Sequence, residues 1–104
     1  MSNRTDEPAA DIDPIIHVPA RLAIMAVLLV GEGADFTFVQ KQTGLTRGNL
    51  SSHLMKLEAA GYVVSEKTFV RRVPRTLLRL TDAGRDALRR YRLRMEEALR
   101  ALPK

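Results

Sequence analysis

The run Thr46-Arg47-Gly48-Asn49-Leu50-Ser51-Ser52-His53-Leu54-Met55-Lys56-Leu57-Glu58-Ala59-Ala60-Gly61-Tyr62-Val63 joins a short amphipathic helix to a glycine stop and an immediate strand start. Leu50, Leu54, Leu57 and Gly61 recur at i, i+4, i+7 and i+11, which places them on one stripe facing a core. Gly48, Ser52, Lys56 and Ala59 fall near the opposite side, with Asn49 and Ser51 on the flanks. Arg, Asn, Ser and Lys on the outer face of a helix suit a DNA major groove. Their hydroxyl, amide and cationic groups reach base edges and phosphates, and no bulky chain holds the helix away. An ordinary amphipathic surface helix would show the same stripe, so the neighbouring segments must separate the two readings.

Upstream, residues 35–45 read as a shorter helix ended by Gly44, with Thr46 as the N-cap of the helix that follows. Two helices joined by a tight glycine-containing turn form a helix-turn-helix. Downstream, residues 62–68 alternate as a strand, residues 69–75 turn, and Thr76-Leu77-Leu78-Arg79-Leu80 returns as a second strand. The expected fold is mainly α with a small β-hairpin. In that order the elements make a winged helix-turn-helix, followed by a long C-terminal helix.

Further matches extend over roughly residues 15 to 100. They are Ile16-His17-Val18-Pro19-Ala20-Arg21-Leu22, Gly48-Asn49-Leu50-Ser51-Ser52-His53-Leu54 and Leu57-Glu58-Ala59-Ala60-Gly61-Tyr62-Val63. After the wing come Pro74-Arg75-Thr76 and Leu80-Thr81-Asp82-Ala83-Gly84-Arg85. In this order and spacing the chain resembles small prokaryotic winged-helix transcriptional regulators of the MarR/ArsR type. The resemblance implies sequence-specific binding of double-stranded DNA.

A chain of 104 residues is one domain with room for a single modest core. Three regions are expected within it: a flexible N-terminal arm over 1–14, a winged-helix DNA-binding core over 15–81, and a C-terminal dimerisation helix over 82–104. The formal charge of +5 favours a polyanionic partner, and its distribution says more than its sum. Lys67, Arg71, Arg72 and Arg75 crowd the hairpin, whereas Asp6, Glu7, Asp11 and Asp13 lie in the arm. No cysteine is present, which excludes disulfides, thiolate metal sites and cysteine redox switches. The longest apolar run, residues 22–30, is about half of a membrane span, and the N-terminus is acidic rather than basic then apolar. The expected location is the cytoplasm, with no membrane partner.

Pro19 suits the first turn of a helix running through Val30 to a stop at Gly31. That helix is apolar nearly all round, so more than one of its sides must be covered. From Thr81 onward the chain reads as one long helix to about Leu102, with Leu88, Tyr91, Met95, Ala98 and Leu102 spaced by threes and fours. Such a seam resembles a coiled coil, and it predicts a homodimer built from the first and last helices. The expected interface residues are Ile15, Ile16, Ile24, Leu28, Leu88, Tyr91, Met95, Leu99 and Leu102. The alternative is a last helix folded back on its own core.

A winged-helix dimer sets its recognition helices in successive major grooves about 34 Å apart, so a pseudo-palindromic operator is expected. The recognition helix is expected over about 46–60 and the basic wing over about 67–76, on the flanking minor groove or phosphates. Thr46, Arg47, Asn49, Ser51, Ser52, His53 and Lys56 are the candidate contacts of the helix, and Lys67, Arg71, Arg72 and Arg75 those of the wing. Arg47 has the geometry to pair with guanine and Asn49 with adenine. His53 is read first as a half-buried residue bonded locally or to a phosphate, and His17 as a capping or dimer-contact residue. Without clustered His, Cys and carboxylates, neither a metal nor a cofactor is expected.

The role expected is a repressor, since the chain leaves no room for an activation domain. Competing readings are a winged helix used as a protein-interaction module, for which Met55 is the one hint, and a non-specific chromatin-type DNA-binding protein. No enzyme is expected, because Ser51-Ser52-His53 diverge around a helix by about 100° each and cannot align as a dyad. A small-molecule effector would be unidentified from sequence; Tyr91, Met25 and Phe36 are the residues expected to line its cleft.

Overall fold

The computed structural model describes residues 11–103. The elements are α1 (Pro19–Leu29), β1 (Ala34–Asp35), α2 (Phe36–Thr43), α3 (Arg47–Ala59), β2 (Val63–Val70), β3 (Val73–Leu80) and α4 (Asp82–Arg100). Side-chain oxygens start three of the helices by taking an otherwise orphaned backbone N–H. Asp35 Oδ1 accepts from Thr37 at 2.7 Å, Thr46 Oγ1 from Asn49 at 3.1 Å, and Thr81 Oγ1 from Gly84 at 2.9 Å. Helix α1 has no side-chain cap and begins instead on Pro19, whose missing N–H leaves no donor to satisfy. Most of the expected arm, residues 1–10, lies outside the described residues.

The expected hairpin is present but is longer than the sequence suggests. Strands β2 and β3 pair without interruption from Val63↔Leu80 to Val70↔Val73, and only Arg71 and Arg72 turn. Pro74 would ordinarily break a strand. Here the pair beside a two-residue turn is the hydrogen-bonded one, so Phe69↔Pro74 is non-hydrogen-bonded and the proline nitrogen faces the open edge. Strand β1, unforeseen because it is two residues long, adds to the other side of β3 at Ala34↔Leu78 and Asp35↔Leu77. The sheet order is β1-β3-β2.

The core lies between the three N-terminal helices and the buried face of this sheet. Leu50, Leu54 and Leu57 of α3 are buried with Met25, Val39, Val63 and Leu78, whereas Gly61, the fourth member of the expected stripe, lies beyond the helix and is exposed. Burying each large aliphatic side chain contributes roughly 1.5–3 kcal/mol. Ile16, Ile24 and Leu28 belong to this core and are fully covered within one chain. They have no surface left for a partner, which corrects their expected place at a dimer interface. Helix α1 is covered on its inner side only; Ala26, Leu29 and Val30 are exposed.

Five segments meet at Tyr62. The N–H of Tyr62 donates to Leu57 O and that of Gly61 to Glu58 O, both at 2.9 Å, with Gly61 at φ 79°. This is the Schellman closure of a helix, and it ends α3. Thr81 N–H then donates to Tyr62 O at 3.0 Å while Thr81 Oγ1 donates to Gly61 O at 2.6 Å, joining the start of α4 to the same two peptides. The Tyr62 hydroxyl donates to Asp13 Oδ2 at 2.5 Å, and Asp13 Oδ1 accepts from Ile15 N–H at 2.8 Å. Ile12 and Ile15, both partly buried, pack against this chain's own core.

Two outcomes follow from this junction. A Cβ on Gly84 would sit 2.2 Å from Tyr62 O, so Gly84→Ala is expected to destabilise the fold by about 1–3 kcal/mol in urea denaturation. The hydrogen bond to Asp13, then burial and the Asp13 charge, push the Tyr62 hydroxyl up to about 12. Because the folded state holds that proton more tightly, its contribution to stability is full below about pH 10 and is lost as pH rises through about 12. Ultraviolet titration should show this late tyrosine in the native protein, and Asp13→Asn should move it back toward its ordinary value.

Candidate nucleic-acid interface

Helix α3 lies across the molecule with three distinct exposed aspects. Ser52, Gly48 and Ala59 project away from the buried leucines, 100° per residue setting their directions. Met55 joins them at 69% exposure, a single apolar side chain among small and polar ones. Arg47 and Ser51 turn toward the hairpin, where with Glu58, Ser65, Pro74 and Thr76 they line a groove of about 430 Å³ between helix and wing. Asn49 and Lys56 turn the other way, toward α1, and both are exposed.

Two side chains that sequence reasoning misses shape the groove. The Arg47 guanidinium stands 5.1 Å from the centre of the Phe36 ring, a cation–π contact that holds it at the groove end while leaving it exposed. Asp35, besides capping α2, approaches Arg75 to 3.7 Å through its second carboxylate oxygen. The cap is legible in the sequence. The ion pair depends on the register of β1 on β3, which nothing local announces.

His53 faces inward. Its Nδ1 accepts from Arg21 Nε at 3.3 Å, and Arg21 also donates to Ile15 O at 3.2 Å. This agrees with the local hydrogen bond expected and sets His53 apart from the outward-facing residues. His17 Nδ1 lies 3.0 Å from the Tyr91 hydroxyl. It thus ties the start of the chain's first helix to α4 within one subunit, and Val18 holds the N-cap position instead. Among the described residues no group of three or more His, Cys, Asp or Glu could hold a metal ion. No helix among them is long and apolar enough to cross a membrane.

The wing carries its cations at its free end. Lys67, Arg71, Arg72 and Arg75 are all exposed. Arg71 and Arg72 occupy the turn with φ of 54° and 69°, the left-handed region that suits Asn or Gly. Holding two arginines there costs about 1–2 kcal/mol each. Among the described residues no carboxylate comes within 4.0 Å of Arg47, Lys56, Lys67, Arg71 or Arg72. On α4 the pattern is reversed. Arg89 and Arg90 pair with Asp86, Arg92 with Glu96, and Arg94 with Glu97. Four of the six arginines of the last helix thus have a carboxylate partner, two of them sharing Asp86, whereas Arg47, Lys56, Lys67, Arg71 and Arg72 on α3 and the wing have none.

A second surface lies between α1 and α4. Leu22, Ala26, Leu29, Leu88, Met95 and Leu99 line an open apolar groove of about 640 Å³. Helix α4 is split along its length. Gly84, Ala87 and Tyr91 are buried on the core, while Leu99 is 59% exposed and Leu102, just beyond the helix, is 62% exposed. The cleft expected from Tyr91, Met25 and Phe36 does not form: Met25 is buried in the core and Phe36 lies beneath Arg47.

Comparison with known proteins matches this geometry. A family described as the winged helix DNA-binding domain matches residues 20–99. The chain is 34% identical over 77 residues to an uncharacterized protein of Methanocaldococcus jannaschii, covering 74% of this chain and 84% of that one. A transcriptional regulator homologue from Pyrococcus horikoshii OT3 has a similar structure, with a TM-score of 0.83 at 34% identity over 97% of this chain and 98% of that one. The transcriptional repressor CouR, solved bound to a 23-mer DNA duplex, superposes with a TM-score of 0.72 at 25% identity, covering 94% of this chain and 71% of CouR. Other structures of similar fold include a MarR-family regulator from Silicibacter pomeroyi.

Gly48 sits in the first turn of α3, and a Cβ there would meet nothing within 4 Å. Nothing in the chain itself requires glycine at this position. Gly48→Ala is therefore expected to stabilise the fold by up to about 1 kcal/mol, read as a higher Tm. If the missing side chain lets α3 approach a duplex closely, the same variant will bind DNA more weakly in a fluorescence anisotropy titration.

Proposed function

We propose that this chain, which belongs to the winged helix DNA-binding domain family and is a transcriptional regulator of MarR type, acts as a homodimeric repressor on a pseudo-palindromic operator. The observation that carries the reading is the uneven pairing of charge among the described residues: Arg47, Lys56, Lys67, Arg71 and Arg72 on α3 and the wing have no carboxylate within 4.0 Å, whereas four of the six arginines of α4 do. In this arrangement α3 enters the major groove, with Ser52 on its outer face and Arg47, Asn49, Ser51 and Lys56 on its flanks. Arg71 and Arg72 reach the adjoining phosphates or minor groove. Helices α1 and α4 of two copies meet along the apolar groove, through Leu88, Met95, Leu99 and Leu102. An apolar effector would compete for that same groove, where Arg85, which has no carboxylate within 4.0 Å among the described residues, offers counter-charge to an acidic group. Repression follows from occupancy of the operator.

Selection of bound duplexes from a random pool at near-physiological salt tests the reading. An enriched pseudo-palindrome with half-sites about 34 Å apart supports a dimeric specific regulator. Binding without enrichment would favour the chromatin-type role, and no binding by the folded protein would favour protein interaction. On the enriched site, Arg71→Ala with Arg72→Ala should weaken matched and scrambled duplexes alike. It should also lower the slope of log affinity against log salt by roughly 2, about 0.9 for each phosphate that is no longer neutralised. Asn49→Ala should change sequence preference, at about 1–3 kcal/mol for a base-edge contact.

A further inference from the structure

We infer that Phe69, at the end of the wing, is an apolar wedge that enters the minor groove and favours easily unstacked base steps beside each half-site. The inference rests on the DNA-binding reading above and adds a sequence preference outside the recognition helix.

The ring is 70% exposed, and its position in the sheet gives its direction. Side chains alternate along β2, so Phe69 shares a face with Val63, Ser65 and Lys67, and its cross-strand partner Pro74 shares that face with Leu78 and Leu80. Val63, Leu78 and Leu80 are buried, and Ser65 and Pro74 line the groove against α3. Phe69 therefore faces the side on which the recognition helix lies. At about 3.3 Å per residue it stands roughly 13 Å beyond Ser65, too far along the hairpin to join the core.

Charge identifies what the ring meets. Lys67 is on the same face, and Arg71 and Arg72 close the strand end in strained left-handed conformations. An apolar ring bounded by three cations fits a polyanion with an apolar interior better than it fits an apolar protein surface. A duplex engaged by α3 presents this combination, with phosphates on both rims of a minor groove about 6 Å wide and stacked bases on its floor. Apolar wedges inserted between base steps unstack them and bend the duplex by about 20–90°. The cost is lowest at TA and CA/TG steps and high in stiff A-tracts. Phe69 would thus read deformability, with the cations holding the phosphates on either side.

The test uses the full chain and a duplex enriched by selection. Two versions of it are made, differing only in whether the steps flanking the half-sites are TA or an A-tract, each end-labelled to report bending by energy transfer. Wild type should bind the TA version about tenfold more tightly and bend it. Phe69→Ala should bring that ratio close to one and reduce the bend, with the salt dependence unchanged because no charge is removed. Phe69→Leu should retain most of the preference. An unchanged ratio and bend in Phe69→Ala would overturn the wedge and leave the DNA-binding reading standing. Failure of the folded wild type to bind any duplex would overturn both. A change of oligomeric state in Phe69→Ala with the ratio intact would make the ring a protein contact and overturn the wedge.

Discussion

The peptide of Tyr62 is the point on which the remaining geometry depends. Its N–H closes α3, its carbonyl takes the N–H of Thr81 at 3.0 Å, and its hydroxyl holds Asp13. The Thr81 hydroxyl has one proton and two lone pairs, and it uses them to donate to Gly61 O and to accept from Gly84 N–H. The end of the recognition helix, the root of the wing and the start of the last helix are thereby fixed to one another within a few bonds. Gly84 completes the joint, because any side chain there would occupy the space of the Tyr62 carbonyl. At the other end of the groove, Asp35 performs a similar service by capping α2 and approaching Arg75. The angle between α3 and the wing is therefore held at the Tyr62 joint, and Asp35 adds a weak tie between the start of α2 and the wing.

Electrostatics follows from where carboxylates are placed. The net charge of +5 would be weak guidance if it were spread evenly. Helix α4 sets Asp86, Glu96 and Glu97 three or four residues from Arg89, Arg90, Arg92 and Arg94, so four of its six arginines have a carboxylate neighbour, each exposed pair adding only a few tenths of a kcal/mol. Across α3 and the wing, Asp35 and Glu66 are engaged with Arg75 and Arg79, and against Glu58 stand five cations, Arg47, Lys56, Lys67, Arg71 and Arg72, without a carboxylate within 4.0 Å among the described residues. The local field is consequently stronger and more directional than the composition implies. Such a field governs encounter with a polyanion and weakens with salt.

What can be read from the sequence is local. Thr46 and Thr81 cap helices through atoms three residues away, and the leucine stripe of α3 needs only helical spacing. The length of the wing is hidden because Pro74 and an Arg-Arg turn both contradict strand rules, and only the pairing register resolves the conflict. The character of α1 shows that several of its sides must be covered but not by what. Ile24 and Leu28 therefore look like partner contacts in the sequence, whereas their own core takes them. Phe36 beneath Arg47, and Arg21 behind His53, are contacts between distant segments and carry no periodic signal. Asp13 reads as arm charge because its partner, Tyr62, is 49 residues away.

Exposed apolar side chains cluster at the end of the wing and in the groove between α1 and α4, which lie on different elements, while Phe38, Met55 and Leu93 are exposed singly elsewhere. The same helix that contributes Leu88, Met95 and Leu99 to the groove begins at Thr81 and Gly84, against the peptide that ends α3. Between α4 and that peptide there is no flexible side chain to absorb a displacement, since Gly84 meets Tyr62 backbone to backbone. Whatever fixes the position of α4 at the groove therefore also fixes the last turn of α3.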